Sequence, residues 1–403
     1  MRILYIHQYY KSPLEGGGTR SWEFARVWAR EGHEVTIVTS DQQSTYKGWR
    51  VDLEDHLEVH RISVPYSQHM GAVARMFSWI RFAFSASIRA RRLSPEVVFA
   101  TSTPLTIIIP ALFAKFRRST TIVFEVRDLW PDVPIAMGRL RNPIVRITAQ
   151  WLEGVAYRKS ARIVAISPQM KKSIESKGIT EKKVVSVPQG CDTQIFLNAH
   201  AKQIRQNHPW VNDGFVAVYA GTLGKVHGVD YLLDLAKWSL ELHLPTRFVC
   251  IGDGSEATRL IERATHEGTL GTNLHFAGHL PKPEVAKWYS VASVSLVLID
   301  GPAVLWRDAA QNKFWDSLAA GIPVAFNRPS WQETFSLQHG VGFRLEQDPQ
   351  ISASQLYQAM LDTDWLREAK ITCNQLALGK YNRERMALRA LNAIAEASAI
   401  DRA

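Results

Sequence analysis

Residues 215–254 read FVAVYAGTLGKVHGVDYLLDLAKWSLELHLPTRFVCIGDG, and their pattern decides the fold. Residues 215–219 form an apolar run of strand character, and 221–228 form a loop with glycine at both ends. Residues 229–242 then set Leu232, Leu233, Leu235 and Ala236 at helical spacing, and 247–251 are again strand, closed by Gly252-Asp253-Gly254. The same unit opens the chain. Residues 2–7 are an apolar run, and Gly16-Gly17-Gly18 lies in the loop that follows. Phe24, Val27 and Trp28 mark a helix stopped at Gly32, and 35–39 return to strand. Buried strands recur at 97–100, 122–126, 163–166 and 184–187, then at 274–276, 294–299 and 322–326, with helical patterns between them. This alternation predicts an α/β protein with one doubly wound parallel sheet in each half. Ligands of such sheets lie beyond the carboxyl ends of the strands, so two Rossmann-like domains facing across a cleft are expected. The domains read as 1–199 and 200–380, with a helix at 381–403 returning to the first. Residues 200–214, the least patterned, read as the linker.

Composition narrows the classes. At 403 residues the chain exceeds one compact core, and 46% hydrophobic content excludes a largely disordered chain. Cys191, Cys250 and Cys373 stand far apart with no CxxC pair. That argues against a disulfide scaffold or structural zinc, and for a reducing compartment. No signal peptide is read, because 2–6 run directly into polar residues, and no run of about 18 apolar residues suggests a spanning helix. The net charge of +10 calls for an anionic partner, whether a nucleotide, a phospholipid surface or a nucleic acid.

The glycine loops fit neither GxGxxG nor a phosphate loop, and Asp41 is the only acidic residue ending the second strand. More telling is QNKFWDSLAAGIPVAFN, residues 311–327. It places Lys313 near the start of a helix, where the dipole disfavours a cation unless an anion lies there. Asp316 follows one turn on. The alternative reading is a surface lysine with a helix-stabilising aspartate. Arg127-Asp128 follows the strand 122–126, where side chains point toward a ligand. Asp128 could take or orient an acceptor's proton and Arg127 could bind an acceptor phosphate, with Glu125 beside them. A structural Arg–Asp pair closing the loop is the other reading. The His-x3-His pairs, His56/His60 and His275/His279, lie in strand-like contexts and do not make a metal site.

In order along the chain, several segments resemble the family 4 retaining glycosyltransferases of the two-domain GT-B fold. They are Gly16-Gly17-Gly18 with Arg20, and Gly32-His33-Glu34-Val35. Val187-Pro188-Gln189-Gly190-Cys191-Asp192 follows, with Gln189 where the family has asparagine. Ile251 to Gly254, Phe276-Ala277-Gly278 and 313–324 complete the set. Phe124 to Pro131 looks most like the fucosamine-transferase-like subgroup of bacterial surface-polysaccharide assembly.

The resemblance implies that Asp316 holds the ribose hydroxyls of a nucleotide sugar, while Lys313 and the helix amides offset diphosphate charge. It places Gly17, Gly18, Gly221, Gly252, Asn312 and Asp308 at the donor. Asp308 precedes Asp316 at the family's spacing for its paired acidic residues, although the interval lacks the usual glycines. Thr222 and His227 stand where the family has a basic pair, leaving Lys225 as the cation for the second diphosphate contact. Asp128 follows Arg127 where members often have His-Asp.

Retention at the anomeric carbon and no obligatory metal or other cofactor are further implications. The donor the resemblance implies is a UDP-sugar and the acceptor a polyprenyl-diphosphate-linked saccharide. A nucleotide-sugar epimerase of the same fold and a non-catalytic sugar-nucleotide or membrane-binding protein are the rival readings. Residues 72–92 carry five arginines among Met76, Phe77, Trp79, Ile80, Phe82 and Phe84, as an interfacial helix would. A peripheral place on the inner face of the membrane, in the cytoplasm, is therefore expected. No nucleic-acid motif accompanies the basic residues.

Overall fold

The computed structural model describes residues 1–403 except Leu14, Gly16, Gly17, Gln68, His69, Arg117, Arg118 and Ala403, and except the side chains of Ala72 and Arg402. Two parallel sheets carry it. The first contains β1 (Arg2–Ile6), β2 (Glu34–Asp41), β3 (Trp49–Glu54), β4 (Leu57–Ser63), β5 (Val97–Thr101), β6 (Thr121–Val126), β7 (Arg162–Ala165) and β8 (Val184–Ser186). Their order is β3-β4-β2-β1-β5-β6-β7-β8, and only β3 runs antiparallel to its neighbour. Every residue of β5 and β6 is buried, as expected of strands covered on both faces. The covering helices are α1 (Arg20–Arg30), α2 (Ala72–Leu93), α3 (Ile108–Lys115), α4 (Asp132–Ala136), α5 (Pro143–Lys159) and α6 (Pro168–Glu175). The β3–β4 hairpin is absent from the strands read off the sequence. Its turn is Asp55-His56, both at positive φ (47° and 67°), and it lacks the glycine that usually signals such a turn.

The second sheet contains β9 (Phe215–Ala220), β10 (Thr246–Ile251), β11 (Leu274–Gly278), β12 (Val294–Val297), β13 (Val324–Phe326) and β14 (Gly342–Arg344), in the order β11-β10-β9-β12-β13-β14. Its helices include α7 (Thr193–Leu197), α8 (Lys202–Asn207), α9 (Val229–Glu241), α10 (Ala257–His266), α11 (Lys282–Tyr289), α12 (Ala303–Asp308) and α13 (Asn312–Ala320). Next come α14 (Trp331–Gln338), α15 (Pro349–Leu361) and α16 (Thr363–Leu378).

The compact units are Met1–Pro13 with Gly18–Gln189 and Glu384–Ala403, and then Gly190–Arg383. The crossings therefore differ from the 199 and 381 read from the sequence. The physical reason is a strip of backbone pairing inside the second unit. Cys191 N–H donates to Tyr381 O at 2.7 Å, and Arg383 N–H donates to Cys191 O at 3.1 Å. Residues 200–214 are not a bare linker either, since Ile204 and Val211 are buried in the second unit's core. In the first unit, Met386, Ala390 and Ile394 of α17 (Arg383–Arg402) pack with Tyr5, Trp28 and Phe99, and the Trp28 indole donates to Ala387 O at 2.8 Å.

One buried ion pair ties the first unit together. Arg20 Nε donates to Glu125 Oε1 at 2.9 Å, and the same guanidinium reaches the carbonyls of Val187 (2.9 Å) and Pro188 (2.7 Å). The Thr101 hydroxyl donates to the other Glu125 oxygen at 2.9 Å. Glu125, expected to meet an acceptor, is thus fully buried with both oxygens engaged, because β6 is covered on both faces and Arg20 and Thr101 claim the carboxylate. Arg20→Leu leaves that carboxylate buried and unpaired. Its expected cost is about 3–5 kcal/mol, read as a fall in the urea midpoint of the first unit's transition.

Candidate active site

In the second sheet the chain reverses direction between β9 and β12, the place where open parallel sheets gather ligand contacts. The loop after β9 and the start of α13 both belong to it. Lys313, the second residue of α13, is only 7% exposed. Its ammonium lies 3.9 Å from the centre of the Tyr219 ring. A Cβ on Gly221 would stand 3.2 Å from Nζ, so glycine there leaves room for the lysine. Burial pushes Lys313 down to about 7. His227, in the same loop, is pushed down to about 4 by burial and then by the Lys313 charge. Among the described residues neither Lys313 Nζ nor His227 Nδ1 has a hydrogen-bond partner. A buried lysine, a neutral imidazole and a helix N-terminus thus converge with no carboxylate partner among the described residues, an arrangement suited to an anion. The surface-lysine alternative is excluded by this burial. His227 was seen in the sequence only as a replaced lysine.

Lys225 lies exposed on the single turn Lys225–His227, and Asn312 is exposed as the first residue of α13. Gly252 has a different task. A Cβ there would come within 1.9 Å of the Gly221 carbonyl oxygen, so it lets two loops pack backbone to backbone. Asp308 is buried and held by the Arg307 guanidinium at 2.7 Å.

Asp316 sits one turn beyond Lys313, with Oδ1 3.4 Å from Lys282 Nζ. Lys282 also lies 3.1 Å from Asp192 Oδ2. Burial raises the Asp316 carboxyl despite Lys282 and Arg383. For Asp192 burial acts upward as well, yet Lys282 and Arg383 prevail and hold it low. Lys282 was not singled out in the sequence. It follows a proline in an unremarkable helix start, and only the fold carries it to Asp316.

In the first unit, Arg127, Asp128, His7, Ser102 and Thr103 gather at the carboxyl ends of β6, β1 and β5. His7 Nε2 is 3.4 Å from Arg127 Nη1, and its Nδ1 is 2.8 Å from the Ser21 hydroxyl. Burial, then the Arg127 charge, push His7 well below its ordinary value, so it is neutral near pH 7. The Arg127 amide donates to Ser102 Oγ at 3.1 Å, and the Thr103 hydroxyl donates to Asp128 Oδ2 at 3.2 Å. Asp128 is exposed and accepts from the Thr103 hydroxyl and the Trp130 amide, and among the described residues it forms no ion pair with Arg127. Gly18 is exposed, while Gly17 lies outside the described residues. Among the described residues no cluster of three or more His, Cys, Asp or Glu is placed to hold a metal ion.

Residues 15–190 match the family model described as glycosyl transferase 4-like domain, and residues 200–300 match the one described as glycosyl transferases group 1. The chain belongs to the GT-B glycosyltransferases. A relative of this glycosyltransferase is the putative colanic acid biosynthesis glycosyl transferase WcaI of Escherichia coli K12. It is 22% identical over 293 residues, which are 66% of this chain and 70% of that protein. Among solved structures, sucrose-phosphate synthase from Thermosynechococcus elongatus is similar in fold, with a TM-score of 0.77, 14% identity and 99% of both chains covered. Anabaena HepE in complex with UDP-glucose is another, with a TM-score of 0.72, 14% identity, 98% of this chain and 100% of that chain covered.

The burial of Lys313 has a thermodynamic signature. Its folded value near 7 lies below the ordinary lysine value of 10.5. The penalty is therefore full below pH 7 and fades as the pH rises toward that of an unfolded lysine. Lys313→Met should stabilise the glycosyltransferase by roughly 3–5 kcal/mol at pH 6, with the gain shrinking by pH 10. Melting curves of both proteins across that range check it.

Proposed function

We propose that the chain transfers a sugar from a nucleotide donor, a UDP-sugar, to a polyprenyl-diphosphate-linked saccharide in surface-glycan assembly, with retention at the anomeric carbon. The observation that carries the donor half is the buried Lys313 ammonium at the start of α13, facing the glycine loop with no counter-charge. A diphosphate supplies that counter-charge. When the bond between the anomeric carbon and the diphosphate oxygen breaks, the electron pair leaves with the oxygen. The growing charge meets Lys313, the α13 amides and exposed Lys225, which favour the transition state over the ground state. Asp316 takes the ribose hydroxyls. Gly221 and Asn312 border the nucleotide, and Gly252 supports the loop beneath it. The HepE structures, in complex with UDP and with UDP-glucose, favour a uridine donor.

On the acceptor side, Asp128 receives or orients the proton of the attacking hydroxyl, and Arg127 meets an acceptor phosphate. His7 beside it stays neutral near pH 7. The likeness to WcaI, a putative colanic acid biosynthesis glycosyl transferase, favours polysaccharide assembly. No helix among the described residues is long and apolar enough to cross a membrane. Yet Val73, Phe77, Ile80, Phe84 and Ile88 of α2 are exposed along one stripe at helical spacing. That stripe supports a peripheral, cytoplasmic enzyme resting on the inner membrane face. Two aromatics expected there lie elsewhere. Phe82 is fully buried, and Trp79 donates to the Tyr9 hydroxyl at 2.6 Å.

Incubation of UDP-sugars with a lipid-linked acceptor, followed by NMR of the product's anomeric proton, tests the whole reading. Isomerised sugar without acceptor would mark an epimerase instead, and no turnover a binding protein. Asp316→Ala is expected to weaken UDP binding by calorimetry. Lys313→Ala is expected to cost about 2–4 kcal/mol in transition-state stabilisation, seen in turnover. Asp128→Asn should retain UDP affinity while transfer falls by about 10²–10⁴-fold.

A further inference from the structure

The first half of α5 is a helix that its own unit does not support. Residues 143–148 are all exposed, and the buried side chains of α5 are Glu153, Ala156 and Tyr157, in its later turns. Its start is held by a cap rather than by packing: the Asn142 side chain accepts from the amides of Ile144 (2.9 Å) and Val145 (3.3 Å), and Pro143 opens the first turn. On this half-helix Ile144, Ile147 and Trp151 are 73%, 66% and 61% exposed. Their i, i+3, i+7 spacing puts them on one stripe, with Arg146 and Gln150 on the opposite side. Exposed stripes of this size mark a contact surface.

We infer that this half of α5 is a second bilayer anchor, which with the start of α2 brackets the loop carrying Arg127 and Asp128. The inference rests on the membrane reading given above for α2. Charge supplies the choice of partner. Residues 133–152 contain Arg139, Arg141 and Arg146 and no Asp or Glu, and residues 72–93 contain five arginines and again no carboxylate. Apolar rings beside unneutralised arginines match an anionic headgroup layer.

Topology supplies the geometry. The chain passes from β4 to β5, β5 to β6 and β6 to β7 toward the same edge of the sheet. Right-handed crossovers then lay α2, α3 and α5 on one face. All three pack against the turn Leu105–Ile107. Their outer surfaces point away from the sheet together, and α3 adds exposed Phe113. Such a layer of helices is matched by a flat, extended partner. The chain reaches α2 after leaving the carboxyl end of β4, and reaches α5 by way of α4 after leaving that of β6. Between them runs the 127–131 loop, whose Trp130 meets Trp79 of α2 edge to face, with ring centres 5.6 Å apart.

The test is sedimentation of the full chain with phosphatidylcholine vesicles, with and without about a third phosphatidylglycerol, at low salt. Wild type should pellet with the anionic vesicles only. Ile144→Ser/Ile147→Ser/Trp151→Ser should lower that partition about tenfold or more, as should Phe77→Ser/Ile80→Ser/Phe84→Ser. Arg139→Glu/Arg146→Glu changes exposed side chains only. It should weaken binding likewise with an unchanged melting curve, which keeps the test independent of folding. If the α5 variants bind as wild type does while the α2 variant is released, the second anchor is overturned and the membrane reading stands. If wild type ignores anionic vesicles, both fall. If the α5 variants change the oligomeric state in sedimentation velocity but not vesicle binding, the stripe joins copies of the chain and the inference is overturned.

Discussion

A buried ammonium without a counter-charge is the constraint around which the second unit is built. Desolvating a cation costs several kcal/mol, and a neighbouring carboxylate is the usual remedy. Here the neighbours are the face of Tyr219, the bare backbone of Gly221 and a second base, His227. A carboxylate would stabilise the unit and cancel its attraction for an anion at the same time. The first unit meets the same problem with the opposite solution. Arg20 is just as buried, but Glu125 and two carbonyls match it fully. One buried cation holds the fold, and the other is left for an incoming anion to match.

The loops around Lys313 follow from this. Gly252 and Gly254 have no space for a side chain, because Cβ atoms there would meet the carbonyl oxygens of Gly221 and Leu223 at 1.9 and 2.3 Å. The Leu223 amide donates to Asp253 O at 2.9 Å, so the loop after β10 is a platform for the loop after β9. That platform sets Gly221 over the lysine. Glycine acts here through backbone packing, one step removed from the ligand.

The architecture was legible because its elements are long runs of consistent period, and the repeated strand, loop, helix, strand unit exposed two sheets. The β3–β4 hairpin escaped because its turn uses Asp55-His56 instead of a glycine. The 200–214 segment escaped because α8 buries a single isoleucine, too little to register as a period. In the site, Lys313 was legible because a cation at a helix start conflicts with local electrostatics. His227, His7 and Lys282 carry no such conflict. Each lies distant in sequence from what it touches, as Lys282 does from Asp192 and Asp316. Glu125 misled for a related reason. A carboxylate near the end of a strand can point toward a ligand or into the core, and the pleat decides between them.

The packing of α17 has a consequence for how the chain is made. Met386, Ala390 and Ile394 complete a core that otherwise belongs to residues up to Gln189, and the whole of Gly190–Arg383 is synthesised between the two parts. At ribosomal speeds of about 5–20 residues per second, that interval lasts on the order of ten seconds or more. Throughout it the nascent first unit carries Trp28 and its neighbours beside a helix not yet present. Completion of the first unit's core therefore waits until the second unit has been synthesised, even though most of the first unit comes earlier off the ribosome. The exposed groove is a natural substrate for chaperones during synthesis.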